Sequence, residues 1–305
     1  MQRRSFLRHM AGGAALLGLG SIWPNKIISA YAQEASFPDL VAVRGTNLPA
    51  MFDRALTALG GLSRFVKSGQ TVLIKPNMAW AVGPEVGANT NPLLISHMIK
   101  NVLNIGAKKV YVFDNTCDNW ASAYRESGLE AAASEAGATV APANTSAYFQ
   151  EVTIPGAKYL TEMSYHEIYL EADVIINVPV LKHHGGAKMT AAMKNLMGVI
   201  WSRGPFHRSG LDGTIPELLL YKKPSLHVVE AVRVMLNGGP RGYGDSRYLA
   251  SQMLLASTDP VAIDAASAAI VASSGITVPN YIRVASELGL GVADLTTLNI
   301  QRLTI

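Results

Sequence analysis

The sequence predicts an α/β fold in which a mostly parallel sheet is flanked by helices within a single domain. Short segments rich in Val, Ile, Leu and Tyr are apolar on both faces, which is typical of strands buried in a parallel sheet. Segments with helical spacing alternate with them, and glycines follow two of these segments where helices commonly end. This alternation favours right-handed strand–helix–strand units around one core.

Five strands and five helices follow from these patterns. The strands are expected at Leu40–Arg44, Thr71–Lys75, Lys109–Phe113, Asp173–Val178 and Met253–Ala256. The helices are expected at Leu48–Leu59, Pro92–Ile105, Ala121–Ala136, Lys188–Met197 and Val261–Ser274. The segment Ala143–Glu171 fits this pattern less well and is either part of the domain or a small inserted lobe.

The composition excludes several protein classes. With 305 residues, 49% of them hydrophobic and 16% charged, the chain is neither disordered nor collagen-like. Residues 1–32 hold four basic residues and no acidic one, so the remaining chain carries 26 − 4 = 22 basic against 22 acidic residues. This neutral body does not favour a nucleic-acid partner. Its lone Cys117 cannot form an internal disulfide.

The first 32 residues have the three zones of an export signal. Arg3 and Arg4 form a twin-arginine pair, a short apolar stretch covers Ala11–Ile22, and Ala30-Tyr31-Ala32 is an A-x-A cleavage site. We expect a twin-arginine signal peptide at 1–32, a single domain at 33–305, the twin-arginine export machinery as partner and a periplasmic location. The alternatives are an uncleaved anchor and a cytoplasmic amphipathic helix.

Polar side chains follow the predicted strands where each one ends. The residues at these exits are Lys75 and Asn77, Asp114, Lys182 and Asp259. The carboxyl ends of parallel strands meet at one edge of a sheet. We therefore expect one cleft there, surrounded by Lys75, Asn77, His183, Lys194 and Asp259. The alternative for any single exit is ordinary turn chemistry, since Asn, Asp, Gly and Pro are common turn residues.

The segment Lys182–Gly198 is the most informative part of the chain. It contains the adjacent His183 and His184, two glycines, and then Lys194 and Asn195 within a predicted helix. An imidazole titrates near neutral pH, so either histidine is a candidate general acid or base. Three methionines spaced four residues apart, Met189, Met193 and Met197, are interpreted as core. The histidine spacing matches no zinc motif, and the metal content is left unknown.

Two further segments offer candidate site residues. The glycine-rich loop 237–245 contains Gly239 and Arg241, which could hold an anion, although a plain surface loop is equally compatible. Asp264 lies in the second turn of a helix whose face is mostly Ala, Val and Ile, so its carboxylate needs a partner if it is buried. Lys75, Lys182 or Lys194 could supply that partner, or Asp264 could face solvent.

At these positions the sequence resembles domain of unknown function family 362. The matching blocks are Lys75–Asn77, Asn89–Pro92, Val178–His184, Met193–Gly198, Asn237–Pro240 and Ala256–Asp264, in the family's order between about Leu40 and Gly291. The resemblance implies a single domain and supports the choice of site, but the family brings no settled reaction. Many members carry a ferredoxin-like module with Cys-x-x-Cys clusters. Because this chain has only Cys117, we expect no iron–sulfur cluster, and the cofactor stays unknown.

Two functions fit the sequence. The first is an exported enzyme that acts on a small anionic or carbonyl substrate; the second is a periplasmic ligand-binding or maturation factor without turnover. No nucleophile elbow and no phosphate-binding loop motif is present. The candidate catalytic residues are His183, His184, Lys182, Lys194, Asp259 and Asp264. The candidate ligand-binding residues are Lys75, Asn77, Asp114, Asn195, Gly239 and Arg241.

Overall fold

The computed structural model describes residues 37–305, which contain thirteen strands and ten α-helices. The strands are β1 Leu40–Arg44, β2 Thr71–Pro76, β3 Lys109–Val112, β4 Thr139–Val140, β5 Phe149–Thr153, β6 Glu162–His166, β7 Val174–Val178, β8 Val180–His184, β9 Lys188–Thr190, β10 Leu226–Met235, β11 Tyr248–Leu249, β12 Met253–Ser257 and β13 Ile300–Thr304. The predicted signal at 1–32 lies outside the described residues.

The helices lie mainly between these strands. They are α1 Leu48–Ala58, α2 Pro92–Asn104, α3 Trp120–Glu126, α4 Leu129–Glu135, α5 Glu167–Glu171, α6 Ala192–Asn195, α7 Gly204–Ser209, α8 Leu211–Tyr221, α9 Pro260–Val271 and α10 Tyr281–Glu287. Asn47, Asn91 and Asp259 cap α1, α2 and α9 by accepting hydrogen bonds from first-turn backbone N–H groups. No helix within residues 37–305 is long and apolar enough to cross a bilayer.

The central sheet is mixed but mostly parallel. Its strand order is β13-β1-β12-β10-β7-β2-β3-β4, and β8 joins it by pairing with β10 in parallel. Within that order β12 alone runs against its neighbours, because it pairs antiparallel with both β1 and β10. The predicted α/β fold class is therefore confirmed. Because β12 runs in the opposite direction, its carboxyl end lies at the edge of the sheet opposite to the carboxyl ends of the other strands in this order.

Apolar side chains on the two faces of the sheet form two cores. Val72 and Ile74 on β2 point into one core, whereas Leu73 points into the other, as the period of two in a strand requires. Helices α1, α2 and α4 contribute to the first core, and α8 to α10 contribute to the second. Burial on both faces explains why these strands are apolar throughout.

The segment Ala143–Glu171 adds a separate two-stranded sheet, β5 with β6, that packs on the second core. The carboxylate of Glu217, which is buried on α8, anchors this segment. It accepts hydrogen bonds from the backbone N–H groups of Lys158, Tyr159 and Leu160 at distances of 2.7 to 3.2 Å. The inserted strands therefore form part of the same compact body, which comprises Phe37–Ile305.

Three of the differences from the sequence-based expectation have a clear local cause. The predicted helix Ala121–Ala136 is broken into α3 and α4 at Gly128, whose φ of +72° is easily adopted by glycine. The predicted helix at Lys188–Met197 instead begins as strand β9, because Lys188–Thr190 pairs antiparallel with β8. The ten-residue strand β10 escaped prediction because His227, Glu230 and Arg233 interrupt its apolar pattern.

Candidate functional site

A small cavity of about 140 Å³ lies where β2, β3 and the β8–β9 hairpin end, beside α6. Six of the predicted site residues line it: Asn77, Asp114, Lys182, His184, Lys194 and Asn195. Met197 lines it as well, while Met189, Met193 and Met197 are all buried, which confirms their interpretation as core residues. Parallel strand direction thus brings together side chains that lie far apart in the sequence.

The floor of the cavity is a buried ion pair between Lys75 on β2 and Asp114 after β3. The Lys75 Nζ lies 2.9 Å from Asp114 Oδ1, and both side chains are almost fully enclosed. The other carboxylate oxygen of Asp114 accepts a hydrogen bond of 2.7 Å from the backbone N–H of Met78. Burial lowers the pKa of Lys75, and the neighbouring Asp114 carboxylate opposes that shift. This pair therefore leaves no net charge on the floor.

An amide network joins the sheet to α6. The side chain of Asn195 donates to Asn177 Oδ1 at 2.8 Å, and Asn177 donates to the backbone carbonyl of Ala192 at 2.8 Å. Asn177 also lies 3.1 Å from Nδ1 of His227, and burial lowers the pKa of that imidazole to about 3. Lys75, Asn177 and His227 occupy the same row across β2, β7 and β10. This network fixes the position of α6 and its Lys194.

Lys182 on β8 is fully enclosed in one wall of the cavity. Its ammonium donates to the backbone carbonyl of Ala88 and lies 3.5 Å from Asn77 Oδ1. It also lies 5.8 Å from the centre of the Trp80 ring, within the range of a cation–π contact. No carboxylate within the described residues pairs with it. Burial therefore lowers the pKa of Lys182 to about 7.

Lys194 on α6 is partly exposed at the cavity. Among residues 37–305 its Nζ has no hydrogen-bond partner, which distinguishes it from the engaged Lys75 and Lys182. Removal from water, together with the smaller effect of the nearby Arg203 guanidinium, lowers the pKa of Lys194 to about 8. An amine with this pKa is present in both protonation states near neutral pH.

The two adjacent histidines point in opposite directions because they lie on a strand. His184 lines the cavity, two positions from Lys182, while Nδ1 of His183 accepts a hydrogen bond of 3.2 Å from the backbone N–H of Gly239. Nδ1 of His184 accepts from the backbone N–H groups of Gly186 and Ala187 at 3.1 and 3.0 Å. Burial and nearby lysines lower the pKa of His184 to about 3, so it stays neutral and carries its proton on Nε2.

The placement predicted for Asp259 is wrong. Because β12 is antiparallel to its neighbours, Asp259 follows it at the opposite edge of the sheet. There its carboxylate caps α9 by accepting from Val261 and Ala262, and it also accepts a hydrogen bond of 2.8 Å from the backbone N–H of Val292. Asp259, which was predicted to be a catalytic residue, therefore does not line the cavity.

Asp264 is fully buried, and its partners are backbone groups instead of the lysines or solvent suggested by the sequence. Its carboxylate oxygens accept from the N–H groups of Ala192 and Met193 at 2.6 and 3.2 Å, at the start of α6. Burial raises the pKa of Asp264 to about 7, while these hydrogen bonds oppose the shift. Asp264 thus positions the helix that carries Lys194 and touches neither histidine.

The glycine-rich loop forms part of the cavity rim through Pro240. A side chain at Gly239 would place its Cβ 1.9 Å from the carbonyl oxygen of His183, so this loop can approach β8 closely only with glycine there. Arg241 turns away from the cavity lining and pairs with Asp118, with its Nε 3.0 Å from Oδ2. The structure thus places Arg241, a predicted ligand-binding residue, in an ion pair between two loops.

Sequence reasoning missed Arg203, Thr190, Trp80 and His207, all of which line the cavity. Arg203 donates to the carbonyls of Asn115, Thr116 and Met197 and lies 3.2 Å from the Cys117 sulfur. Thr190 is buried opposite Lys182 in the β8–β9 hairpin, and its hydroxyl has no hydrogen-bond partner among residues 37–305. Only that hairpin register could have indicated Thr190, because no sequence motif surrounds it.

Positive charge dominates the cavity. Lys182, Lys194 and Arg203 contribute to the lining, whereas the one acidic side chain there, Asp114, is paired with Lys75. Within residues 37–305, no group of three or more His, Cys, Asp and Glu side chains is arranged to hold a metal ion. The arrangement is therefore suited to a small anion, with lysine nitrogens available for proton exchange or covalent chemistry.

A match to a protein-family model identifies the family of this chain. The chain belongs to the family described as a domain of unknown function (DUF362). The family model matches residues 72–269, which include every residue that lines the cavity. The DUF362 chain is also 27% identical over 266 residues to a thylakoid-associated protein of Synechocystis sp., covering 82% of this chain and 78% of that protein.

Two solved structures are similar to the DUF362 chain at a sequence identity lower than that of the thylakoid-associated protein. One is the lactate racemase apoprotein from Thermoanaerobacterium thermosaccharolyticum, with 12% identity, a TM-score of 0.43 and coverage of 64% of this chain and 50% of that one. The other is a protein from Thermotoga maritima, with 10% identity, a TM-score of 0.38 and coverage of 64% and 52%. The chain spans about half the length of these structures, and the similarity says nothing about activity.

Proposed function

We propose that the cavity belongs to an enzyme that acts on a small organic anion. The observation that supports this most strongly is the excess of positive charge from Lys182, Lys194 and Arg203 around the cavity. The only carboxylate that residues 37–305 contribute to its lining, that of Asp114, is paired with Lys75. A buried hydroxyl without a partner, that of Thr190, lines the same cavity. A bound anion would offset the cost of keeping the cations away from water and would give this hydroxyl an acceptor.

The volume limits the size of the ligand. A cavity of about 140 Å³ is several times the share of liquid volume of one water molecule, which is about 30 Å³. A short carboxylate has the size that fills this space. The lowered pKa values of Lys182 and Lys194 support turnover, because both amines can exchange protons near neutral pH.

Titration calorimetry of the full chain tests the charge selectivity. We expect pyruvate and propionate to bind and neutral propionamide, which has the same carbon skeleton as propionate, to bind at least tenfold more weakly. Lys194→Gln removes one positive charge and should weaken anion binding about tenfold, since a charge-assisted contact contributes about 1.5–3 kcal/mol.

Lys188→Gln is the matched control, because Lys188 is exposed and lies outside the cavity lining. Its anion affinity should equal that of the unmodified chain. Equal affinity for propionate and propionamide, or unchanged anion affinity in Lys194→Gln, would contradict the proposal.

One observation favours the alternative of ligand binding without turnover. His184 is the one histidine of the β8 pair at the cavity, and its low pKa prevents proton exchange near neutral pH. A bound anion that is recovered chemically unchanged after prolonged incubation with the protein would favour this second function.

We also propose that the chain is exported through the twin-arginine pathway and acts in the periplasm. The support is the order of charged, apolar and A-x-A zones within residues 1–32, together with the neutral charge of the remaining chain.

A further inference from the structure

The three lysines near the cavity differ in how far their nitrogens are engaged. Lys75 is paired with Asp114, and Lys182 donates to the Ala88 carbonyl. The Lys194 nitrogen has no hydrogen-bond partner among residues 37–305 and is partly exposed at the cavity. A nucleophile must present a free lone pair to its target, so Lys194 is the nitrogen best placed to attack a ligand.

We propose that Lys194 forms an imine with the carbonyl group of a small 2-oxo carboxylate bound in the cavity. This inference rests on the proposed anion site and adds a reactive residue and a substrate class to it. In such a ligand a carboxylate and a carbonyl lie on adjacent carbon atoms, so the charges of Arg203 and Lys182 hold the carboxylate while Lys194 reaches the carbonyl carbon.

The step is balanced without any further reactant. The neutral Lys194 nitrogen attacks the carbonyl carbon, and the electron pair of the C=O bond moves to oxygen. The carbinolamine then loses that oxygen as water, which takes both amine protons, and a C=N bond remains. Two groups at the cavity can donate a hydrogen bond to the departing oxygen. They are the Nε2–H of neutral His184 and the Thr190 hydroxyl, which has no hydrogen-bond partner among residues 37–305.

The surroundings keep a useful fraction of Lys194 neutral. Loss of water and the positive charge of Arg203 lower the pKa of Lys194 to about 8. Since an amine loses its proton as pH rises through its pKa, imine formation should increase from pH 7 to pH 9. The titratable and charged groups around Lys194 are Arg203, Cys117, Asp114, Lys75, Lys182 and His184, with His207 also lining the cavity.

Reductive trapping tests the proposal directly. The full chain is incubated with pyruvate and sodium cyanoborohydride, which fixes an imine as a stable secondary amine, and is then analysed by intact and peptide mass spectrometry. We expect one adduct per chain, carried by Lys194, with yield rising between pH 7 and pH 9. Excess propionate, which has the charge but no carbonyl, should suppress the adduct by occupying the same cavity.

Two variants separate the possible outcomes. Lys194→Arg keeps the positive charge but lacks a nucleophilic amine, so it should bind propionate and form no adduct, whereas Lys188→Arg should form the adduct normally. Peptide mapping of the unmodified chain locates the adduct even if Lys194→Arg does not fold. Anion binding without an adduct, or an adduct on Lys182 or a surface lysine, would overturn the imine alone. Absence of anion binding would overturn the proposed function as well.

Discussion

At the scale of single residues, burial changes the chemistry of ordinary side chains. The three lysines at the cavity differ in the partner of their side-chain nitrogen. Asp114 forms an ion pair with Lys75, and the Ala88 carbonyl accepts a hydrogen bond from Lys182. The nitrogen of Lys194 has no partner within the described residues. Burial of a cation without a carboxylate favours its neutral form. The reactivity of each lysine is therefore decided by its neighbours within a few ångströms.

Gly198 is essential to the floor of the cavity for a steric reason. A Cβ at this position would lie 1.8 Å from Asp114 Oδ1 and 2.7 Å from Lys75 Nζ. Gly198→Ala should therefore separate the buried ion pair and lower the free energy of unfolding by about 3 kcal/mol. Urea denaturation followed by circular dichroism measures this loss.

Gly185→Ala serves as the comparison for Gly198→Ala. A Cβ at Gly185 would meet no atom within 4 Å, so this variant should unfold at nearly the same urea concentration as the unmodified chain. Equal stability of the two alanine variants would show that the ion pair can move aside, in contrast to this interpretation.

At the scale of elements, the cavity depends on the β8–β9 hairpin and on α6. The hairpin places Lys182 opposite Thr190, so both side chains face the cavity. Helix α6 has only four residues, Ala192–Asn195, and cannot be stable by its own hydrogen bonds. Its position is secured from outside by Asn177 at the Ala192 carbonyl and by Asp264 at the Ala192 and Met193 N–H groups.

Asp264→Ala should therefore destabilise the protein and weaken the anion site together. Two buried N–H groups would lose their acceptor, which should lower the free energy of unfolding by roughly 2–4 kcal/mol. Pyruvate affinity should fall as well, because α6 carries Lys194. Thermal unfolding and titration calorimetry provide the two measurements.

Asp264→Asn should lose less stability than Asp264→Ala, since the amide retains one acceptor oxygen. Glu171→Ala, at an exposed helical acid, should change neither quantity. If Asp264→Ala were as stable as the Glu171 variant, Asp264 would have no role in holding α6.

At the scale of the whole molecule, charge is divided between residues 1–32 and the rest of the chain. All of the formal excess of +4 resides in residues 1–32, while the rest of the chain is balanced. This division is compatible with the proposed export, in which residues 1–32 would be the signal.

Replacing Arg3 and Arg4 with lysine tests the export proposal. We expect the doubly substituted full chain to accumulate in the cytoplasm as an uncut precursor, because the twin-arginine machinery recognises the arginine pair instead of positive charge alone. Cell fractionation with immunoblotting measures location and size. Arg8→Lys is the control and should be processed normally; a processed, periplasmic protein in the double variant would contradict the proposal.

The sequence by itself determined the α/β class and much of the cavity. Segments that are apolar on both faces predicted β1, β2, β3, β7 and β12 with bounds within one residue of those observed. Polar residues at parallel strand ends indicated Lys75, Asn77 and Asp114 because strand direction alone brings such ends together. Lys182 also reaches the cavity, but from within β8 and not from a strand end. These features depend on local pattern and on the direction shared by most strands.

The tertiary structure alone decided the direction of β12 and the partners of each charge. A short apolar strand reads identically in either direction, so the sequence did not reveal that Asp259 lies at the far edge. Likewise, Thr190 and Arg203 reach the cavity through a hairpin register and a loop path that leave no periodic signal. Pairing between distant segments selects strand direction and hydrogen-bond partners, and that selection depends on the whole folded chain.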